Sequence, residues 1–200
     1  MKLFADTHEG KGSLLHGVYD EFEFLKKNMN ACEQCSLYKT RTHVVVGSGD
    51  ISAQIMFIGE APGKNEDEAG EPFVGAAGKR LDELLSDAGI NRSEVYIANI
   101  LKCRPPKNRN PKAEEIQKCT PFLRQQLQII QPLYVVTLGN FATQYMLDTK
   151  VGISELRGKF YKKDVITIFP IFHPAAAIYD RSKMPLIKQD FATLAHMLHT

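Results

Sequence analysis

The sequence has no tryptophan, only four cysteines among 200 residues, and no apolar run long enough to cross a bilayer. The last absence argues against a membrane-spanning protein. The N-terminus also lacks the apolar core and small-residue cleavage site of a secretory signal, so a cytoplasmic protein is expected. A dominant charge is missing too: the net charge is +2 at pH 7, and the overall balance does not announce a nucleic-acid binder. There is no internal repeat and no low-complexity tract. What remains is the composition of an ordinary globular protein, 44% hydrophobic and 24% charged. The length suits one domain with a sizeable core.

The chain alternates strand-like and helix-like patterns. Residues 1 to about 18 show no clear period and read as a loose extension, leaving 19–200 as the domain. Tyr19 to Met29 repeats its apolar residues at helical spacing. Strands are expected at Ile55–Ile58, Val95–Ile100, Tyr134–Leu138 and Val165–Phe169. Helices are expected near Lys79–Ala88, from Asn110-Pro111 to Cys119 with a restart at Thr120-Pro121, through Met146, and at the C-terminal end. This alternation predicts an α/β fold, a three-layer α/β/α sandwich around a central four-stranded parallel sheet.

The most informative stretch is expected to be a long, glycine-punctuated loop from Gly59 to Gly78, between the first strand and its helix. In open α/β sheets ligands bind at that edge, outside the carboxyl ends of the strands. Three strand ends are expected to converge there: Glu60-Ala61-Pro62, Asn99, and His173-Pro174. Backbone N–H groups in the Glu60–Gly63 turn can hold an anion or a carbonyl oxygen. Phe73 offers a flat face to a planar ligand. The Asn99 amide donates and accepts at once, which suits a nucleobase edge. His173 can donate to a developing oxyanion. Each residue alone has a blander reading, as a turn residue, a loop histidine or a core phenylalanine. Their convergence carries the case.

Cys32, Cys35, Cys103 and Cys119 are too few and too scattered for a disulfide framework, and a cytosolic chain disfavours one. A thioredoxin-like pair would leave the last two unexplained. Cys103 at a strand end and Cys119 at the expected helix restart fit a shared tetrathiolate site instead. Spacing alone leaves zinc and an iron–sulfur cluster both open, beside four merely buried thiols. Five basic residues, Lys102, Arg104, Lys107, Arg109 and Lys112, stand together without an acid, and such a cluster either contacts phosphates or forms a solvated face.

The motifs together resemble family 4 uracil-DNA glycosylases, the iron–sulfur class. The resemblance rests on Gly-Glu-Ala-Pro-Gly-x-x-Glu-Asp with Gly-x-Pro-Phe-Val-Gly-x-Ala-Gly, on Asn99-x-x-Lys-Cys-Arg-Pro-Pro-x-Asn-Arg-x-Pro, on His173-Pro-Ala-Ala-Ala, and on the cysteine spacing, over about residues 20–200. It implies a [4Fe–4S] cluster on the four cysteines. It implies that Phe73 stacks on a flipped uracil and that Asn99 pairs with its O4 and N3 side. His173 is implied to bond O2, and the backbone at Glu60 and Ala61, with Pro62, to hold the base. Glu66 matches the position that crowds C5 against a thymine methyl. Lys102, Arg104, Lys107 and Arg109 are the phosphate candidates, and Ala177, Ile178, Tyr179 and Arg181 the candidates for pressing into the duplex.

Better-known uracil glycosylases carry an aspartate where this chain has Ala61, which leaves Glu60 as the nearest carboxylate for catalysis. The loop after Asn99 lacks the histidine of a related class that bonds covalently to DNA. The implied activity is hydrolysis of uracil from single- or double-stranded DNA by a monomer, with replication or repair proteins as further partners. The alternatives are a non-catalytic nucleic-acid-binding module with a structural four-cysteine metal site, and a small-molecule enzyme on the same sheet.

Overall fold

The four apolar runs do form parallel strands, and they sit at the centre of a six-stranded sheet. The computed structural model describes residues 14–198. In chain order the helices and strands are α1 (Leu14–Asn30), β1 (Ser48–Gly49), β2 (Ile55–Gly59), α2 (Lys64–Ala69), α3 (Ala76–Asp87), β3 (Tyr96–Asn99) and α4 (Ala113–Ile130). They continue as β4 (Tyr134–Leu138), α5 (Asn140–Leu147), α6 (Ile153–Leu156), β5 (Tyr161–Lys163), β6 (Ile166–Ile171), α7 (Ala176–Tyr179) and α8 (Met184–Leu198). The sheet order is β1-β3-β2-β4-β6-β5. β3, β2, β4 and β6 are parallel, and β1 and β5 pair antiparallel at the two edges.

The central strands are apolar on both sides because both faces are covered. Met56, Ile58, Val135 and Ile168 point into a core shared with Leu25 and Met29 of α1 and Leu123 and Leu127 of α4. Their neighbours Phe57, Val136 and Phe169 point the other way, against Leu81 and Leu84 of α3 and Phe191 of α8. Full burial of one such side chain contributes roughly 1.5–3 kcal/mol. The three layers are therefore as expected. Among the described residues no helix is long and apolar enough to cross a membrane.

Four expectations need correction. The sheet has two short edge strands beyond the four central ones. The stretch after Gly59 is not all loop, because Lys64–Ala69 forms α2, closed by Gly70 in the left-handed region at φ 74°. The N-terminal helix begins at Leu14, inside the expected loose extension, whose residues 1–13 lie outside the described ones. Finally, α4 does not restart at Thr120. It begins at Ala113 rather than beside Asn110 and runs unbroken to Ile130 with Pro121 inside it. Glu115 caps this helix by accepting the Lys112 N–H at 2.8 Å. Burial of Phe122, Leu123 and Leu127 just after the proline holds the helix across the missing donor. Cys119 thus projects from a continuous helix, not from a break.

Candidate active site

The chain leaves β2 toward β3 on one side and returns to β4 on the other, so the strand order reverses between β2 and β4. A crevice at the carboxyl ends is the expected result. A cavity of about 390 Å³ lies there. Glu60, Ala61, Pro62, Glu66, Phe73, Asn99 and His173 all line it, so the structure brings together every residue expected at the base. Gly63, Ala77, Pro105, Asn108 and Ala175 also line it. Asn108 is within reach of the sequence, since it belongs to the motif that begins at Asn99.

Phe73 is held in an unusual way. Its backbone lies in the left-handed region at φ 53°, a conformation that costs an aromatic residue roughly 1–3 kcal/mol. Three groups secure it. Glu66 Oε1 accepts the N–H groups of Val74 and Gly75 at 3.1 and 2.8 Å. Arg92 donates to the Pro72 carbonyl at 2.8 Å and to the Phe73 carbonyl at 3.3 Å, and its other nitrogen binds Asp82 at 2.6 Å. Gly78 supplies the space, because a Cβ there would overlap the Phe73 carbonyl. Sequence reasoning misses Arg92, which lies about twenty residues downstream with no local motif to mark it.

Gly59 does similar work at the end of β2. A Cβ at this position would overlap both the Asn99 Oδ1 and the Phe73 ring. Across the cavity, the His173 ring faces Phe73 with centroids 5.6 Å apart and planes 29° from parallel. His173 Nδ1 accepts the Ala175 N–H at 3.2 Å. Nδ1 is therefore unprotonated, and the ring proton sits on Nε2. Burial pushes the imidazole pKa down to about 4, against a smaller opposing pull from Glu66, so His173 is neutral at pH 7. Burial also raises the Glu60 carboxyl above its ordinary range.

The four cysteines form no disulfide and line a single pocket walled by Met29, Leu37 and Phe122. Cys32 and Cys35 follow α1, Cys103 follows β3, and Cys119 lies on α4. Burial raises the Cys103 thiol and pushes Cys119 up to about 12. Hydrogen-bond donors face the sulfurs: the Lys102 N–H reaches Cys119 Sγ at 3.2 Å and Arg41 reaches Cys103 Sγ at 3.5 Å. Arg41 also donates to the Cys32 carbonyl at 2.6 Å. Soft sulfur ligands with cationic and N–H groups around them suit a tetrathiolate-bound group. Among the described residues no set of three or more His, Cys, Asp or Glu side chains is gathered to hold a single metal ion.

The DNA-contact candidates divide. Arg104 and Lys107 stand near the cavity rim, with Lys107 exposed and Arg104 bonded to Asn108 at 2.7 Å. Ile178, Tyr179 and Arg181 are exposed beyond His173, and Tyr179 lines the cavity as well. Two candidates are corrected. Lys102 is only 2% exposed and cannot reach a phosphate; burial lowers its pKa to about 8. Ala177 is 5% exposed and packs into the core, so it cannot enter a duplex. Arg109 lines the cavity, yet its guanidinium is committed to Glu115 at 2.9 and 2.5 Å.

Comparison with known proteins agrees with this geometry. The model of the Uracil DNA glycosylase superfamily matches residues 46–197. The chain belongs to that superfamily. Within it, the chain is 42% identical over 191 residues to a type-4 uracil-DNA glycosylase of Sulfurisphaera tokodaii, covering 90% of this chain and 86% of that one. It is 44% identical over 165 residues to the type-4 enzyme of Thermotoga maritima, covering 80% and 84%. The type-4 enzyme of Archaeoglobus fulgidus is 40% identical over 186 residues, covering 89% and 94%.

Proposed function

We propose that this protein is a type-4 uracil-DNA glycosylase carrying a [4Fe–4S] cluster on Cys32, Cys35, Cys103 and Cys119. It removes uracil from DNA by hydrolysis and leaves an abasic site. The observation that carries this reading is the meeting of Phe73, Asn99 and His173 around one cavity at the strand ends.

A base inside a duplex is out of reach, so the nucleotide is flipped into the cavity at a cost of a few kcal/mol. Phe73 gives the flipped base a stacking face, and its clamped backbone means that little ordering remains when the base arrives. The Asn99 amide pairs with the uracil edge, where cytosine would present the wrong donor pattern. Glu66, fixed by two amides, stands where a thymine methyl would come. As the glycosidic bond breaks, electrons flow to the leaving base while positive character builds on the sugar. His173 Nε2–H donates to O2 of the departing anion; one such donor lowers the barrier by roughly 3–4 kcal/mol. A neutral imidazole suits this task, since it needs no partner acid and holds its proton at the required atom. Water then completes the sugar. Glu60 lines the cavity with a raised pKa, and we assign it to positioning that water in place of the carboxylate that Ala61 lacks.

The cluster supplies a crosslink joining the segment after α1, the loop after β3 and α4; the hydrolysis itself needs no electron. The four cysteines that line one pocket would supply one sulfur ligand to each iron of such a group. Arg104, Lys107 and Arg181 face the DNA backbone, and Ile178 and Tyr179 fill the space the base leaves. The protein acts as a cytoplasmic monomer.

Incubation with a uracil-containing duplex followed by alkaline strand scission tests the activity. Cleavage at the uracil is expected; an intact strand with the duplex still bound would instead show a non-catalytic binding module. The purified protein is expected to absorb broadly near ~400 nm. A colourless protein with bound zinc would overturn the cluster.

A further inference from the structure

Lys102 is the one member of the basic cluster that points fully inward. Its Nζ donates to the Asn99 carbonyl at 2.8 Å and to Gln126 Oε1 at 2.6 Å. Gln126, wholly buried on α4, passes the connection on, donating from Nε2 to the Val46 carbonyl at 2.8 Å and to Tyr96 Oη at 3.1 Å. The Lys102 backbone is held as well, its carbonyl accepting the Val45 N–H at 2.8 Å and its N–H binding Cys119.

Both hydrogen-bond acceptors of the ammonium are neutral, and among the described residues the only counter-charges favouring it are the Cys119 and Cys103 sulfurs, which it does not bond through Nζ. Burying a charge without a carboxylate is costly, and an apolar side chain of similar size commonly serves stability as well or better. The cost needs a return. Asn99 ends β3, and the ammonium takes its carbonyl from behind. A fixed carbonyl fixes the Asn99 peptide plane and hence the direction in which its side chain leaves the backbone. That direction is tightly bounded in front, where the amide oxygen meets Gly59.

We propose that Lys102 is a positioning residue for uracil recognition, holding the Asn99 amide toward the base through its grip on the Asn99 carbonyl, with Gln126 as its anchor. This rests on the reading that Asn99 pairs with uracil. Lys102 touches no substrate; it acts through Asn99.

A double-mutant cycle on the cluster-loaded protein tests this. Single-turnover excision from a uracil-containing duplex is measured for Lys102→Met, Lys102→Gln, Asn99→Ala and each Lys102 variant combined with Asn99→Ala. Loss of a charge-assisted bond predicts about a ten-fold slower rate for Lys102→Met. Lys102→Gln, whose amide keeps a donor, is expected to lose less. In the Asn99→Ala background neither change is expected to slow excision further. Duplex binding and absorbance near ~400 nm should stay as in the parent, which a merely structural role would not preserve.

An equal loss in both backgrounds would overturn the proposal, as would an unchanged rate in Lys102→Met alone. Should the methionine variant fail to fold, the glutamine variant carries the same cycle, and the same two results decide it. If Asn99→Ala by itself leaves excision intact, the role of Asn99 falls, and Lys102 with it. That result is distinct from a cycle that shows two independent losses.

Discussion

Two pockets flank the end of β3, and they are built by opposite means. The cavity in front of Asn99 is lined by polar and apolar groups alike and shaped by backbone: a left-handed Phe73, glycines at 59 and 78, and hydrogen bonds from two amides to Glu66. The pocket behind it, three residues along at Lys102-Cys103, is walled by Met29, Leu37 and Phe122 and shaped by side chains. On the proposed function the difference follows from use. A site that admits and releases a base at every turnover must be ready before the ligand comes, so its conformational cost is met by the fold. A site filled once can be held together by the group that fills it.

That contrast can be broken. Cys103→Ser is expected to have the largest effect on the whole molecule. Loss of a metal-group ligand is among the few changes that exceed roughly 4 kcal/mol of stability. Thermal melting and duplex affinity should fall together and the ~400 nm band should vanish; a colourless variant with an unchanged melting temperature and affinity would make the rear pocket dispensable. His173→Ala is expected to do the reverse. It removes roughly 3–4 kcal/mol of barrier lowering, about two to three orders of magnitude in single-turnover rate, while melting, colour and duplex binding stay in place. Near-normal excision would remove His173 from the chemistry.

Smaller changes sharpen the front pocket. Gly59→Ala inserts a methyl into the space of Asn99 and Phe73, and overpacking of this kind costs roughly 1–3 kcal/mol. Slower excision with the absorbance band retained is the expected result. Arg92→Ala frees the Phe73 turn without touching the cavity. Loss of its hydrogen bonds should slow excision by roughly 1–2 kcal/mol of barrier; a rise in KM alone would show that the turn serves binding only.

The smallest effect expected is none. The His173 pKa is about 4 in the folded protein, below the ordinary 6.5, so the imidazole stays neutral as pH falls through 6.5. The pH–rate profile should therefore carry no His173 inflection near 6.5 and should fall only as pH approaches 4. Stability behaves differently. Between 6.5 and 4 the unfolded chain takes up a proton that the folded one refuses, so this residue's contribution makes folding less favourable as pH drops through that window. An inflection near 6.5 that disappears in His173→Ala would show a protonated imidazole at work.

Much of this arrangement is readable in the sequence, for a physical reason. A parallel strand buried on both faces is written as an unbroken apolar run, so the ends of the central strands, with Glu60, Asn99 and His173 just at or beyond them, can be placed in one crevice. The edge strands cannot: Ser48–Gly49 and Tyr161–Lys163 are too short and too polar to carry a period. Thr120-Pro121 has the local chemistry of a helix start, but long-range burial of Phe122 and Leu123 outweighs it. The basic cluster misleads most. Counting charges treats every lysine and arginine as solvated, whereas Lys102 faces Gln126 and Arg109 faces Glu115. Sequence spacing carries no sign of which way a cation turns when its partner lies on another element.

Tyr179 is the most exposed large side chain among the apolar and aromatic residues described, at 88%, and it stands on the rim of the base cavity. The chain has seven tyrosines and no tryptophan to outshine them. Its ultraviolet emission is therefore tyrosine emission, and the fluorophore most open to solvent is the one proposed to meet the duplex. Stacking against bases would quench it. On that proposal Tyr179 is an optical reporter of DNA engagement, readable without a dye, and Tyr179→Phe would silence that reporter while keeping a ring in place.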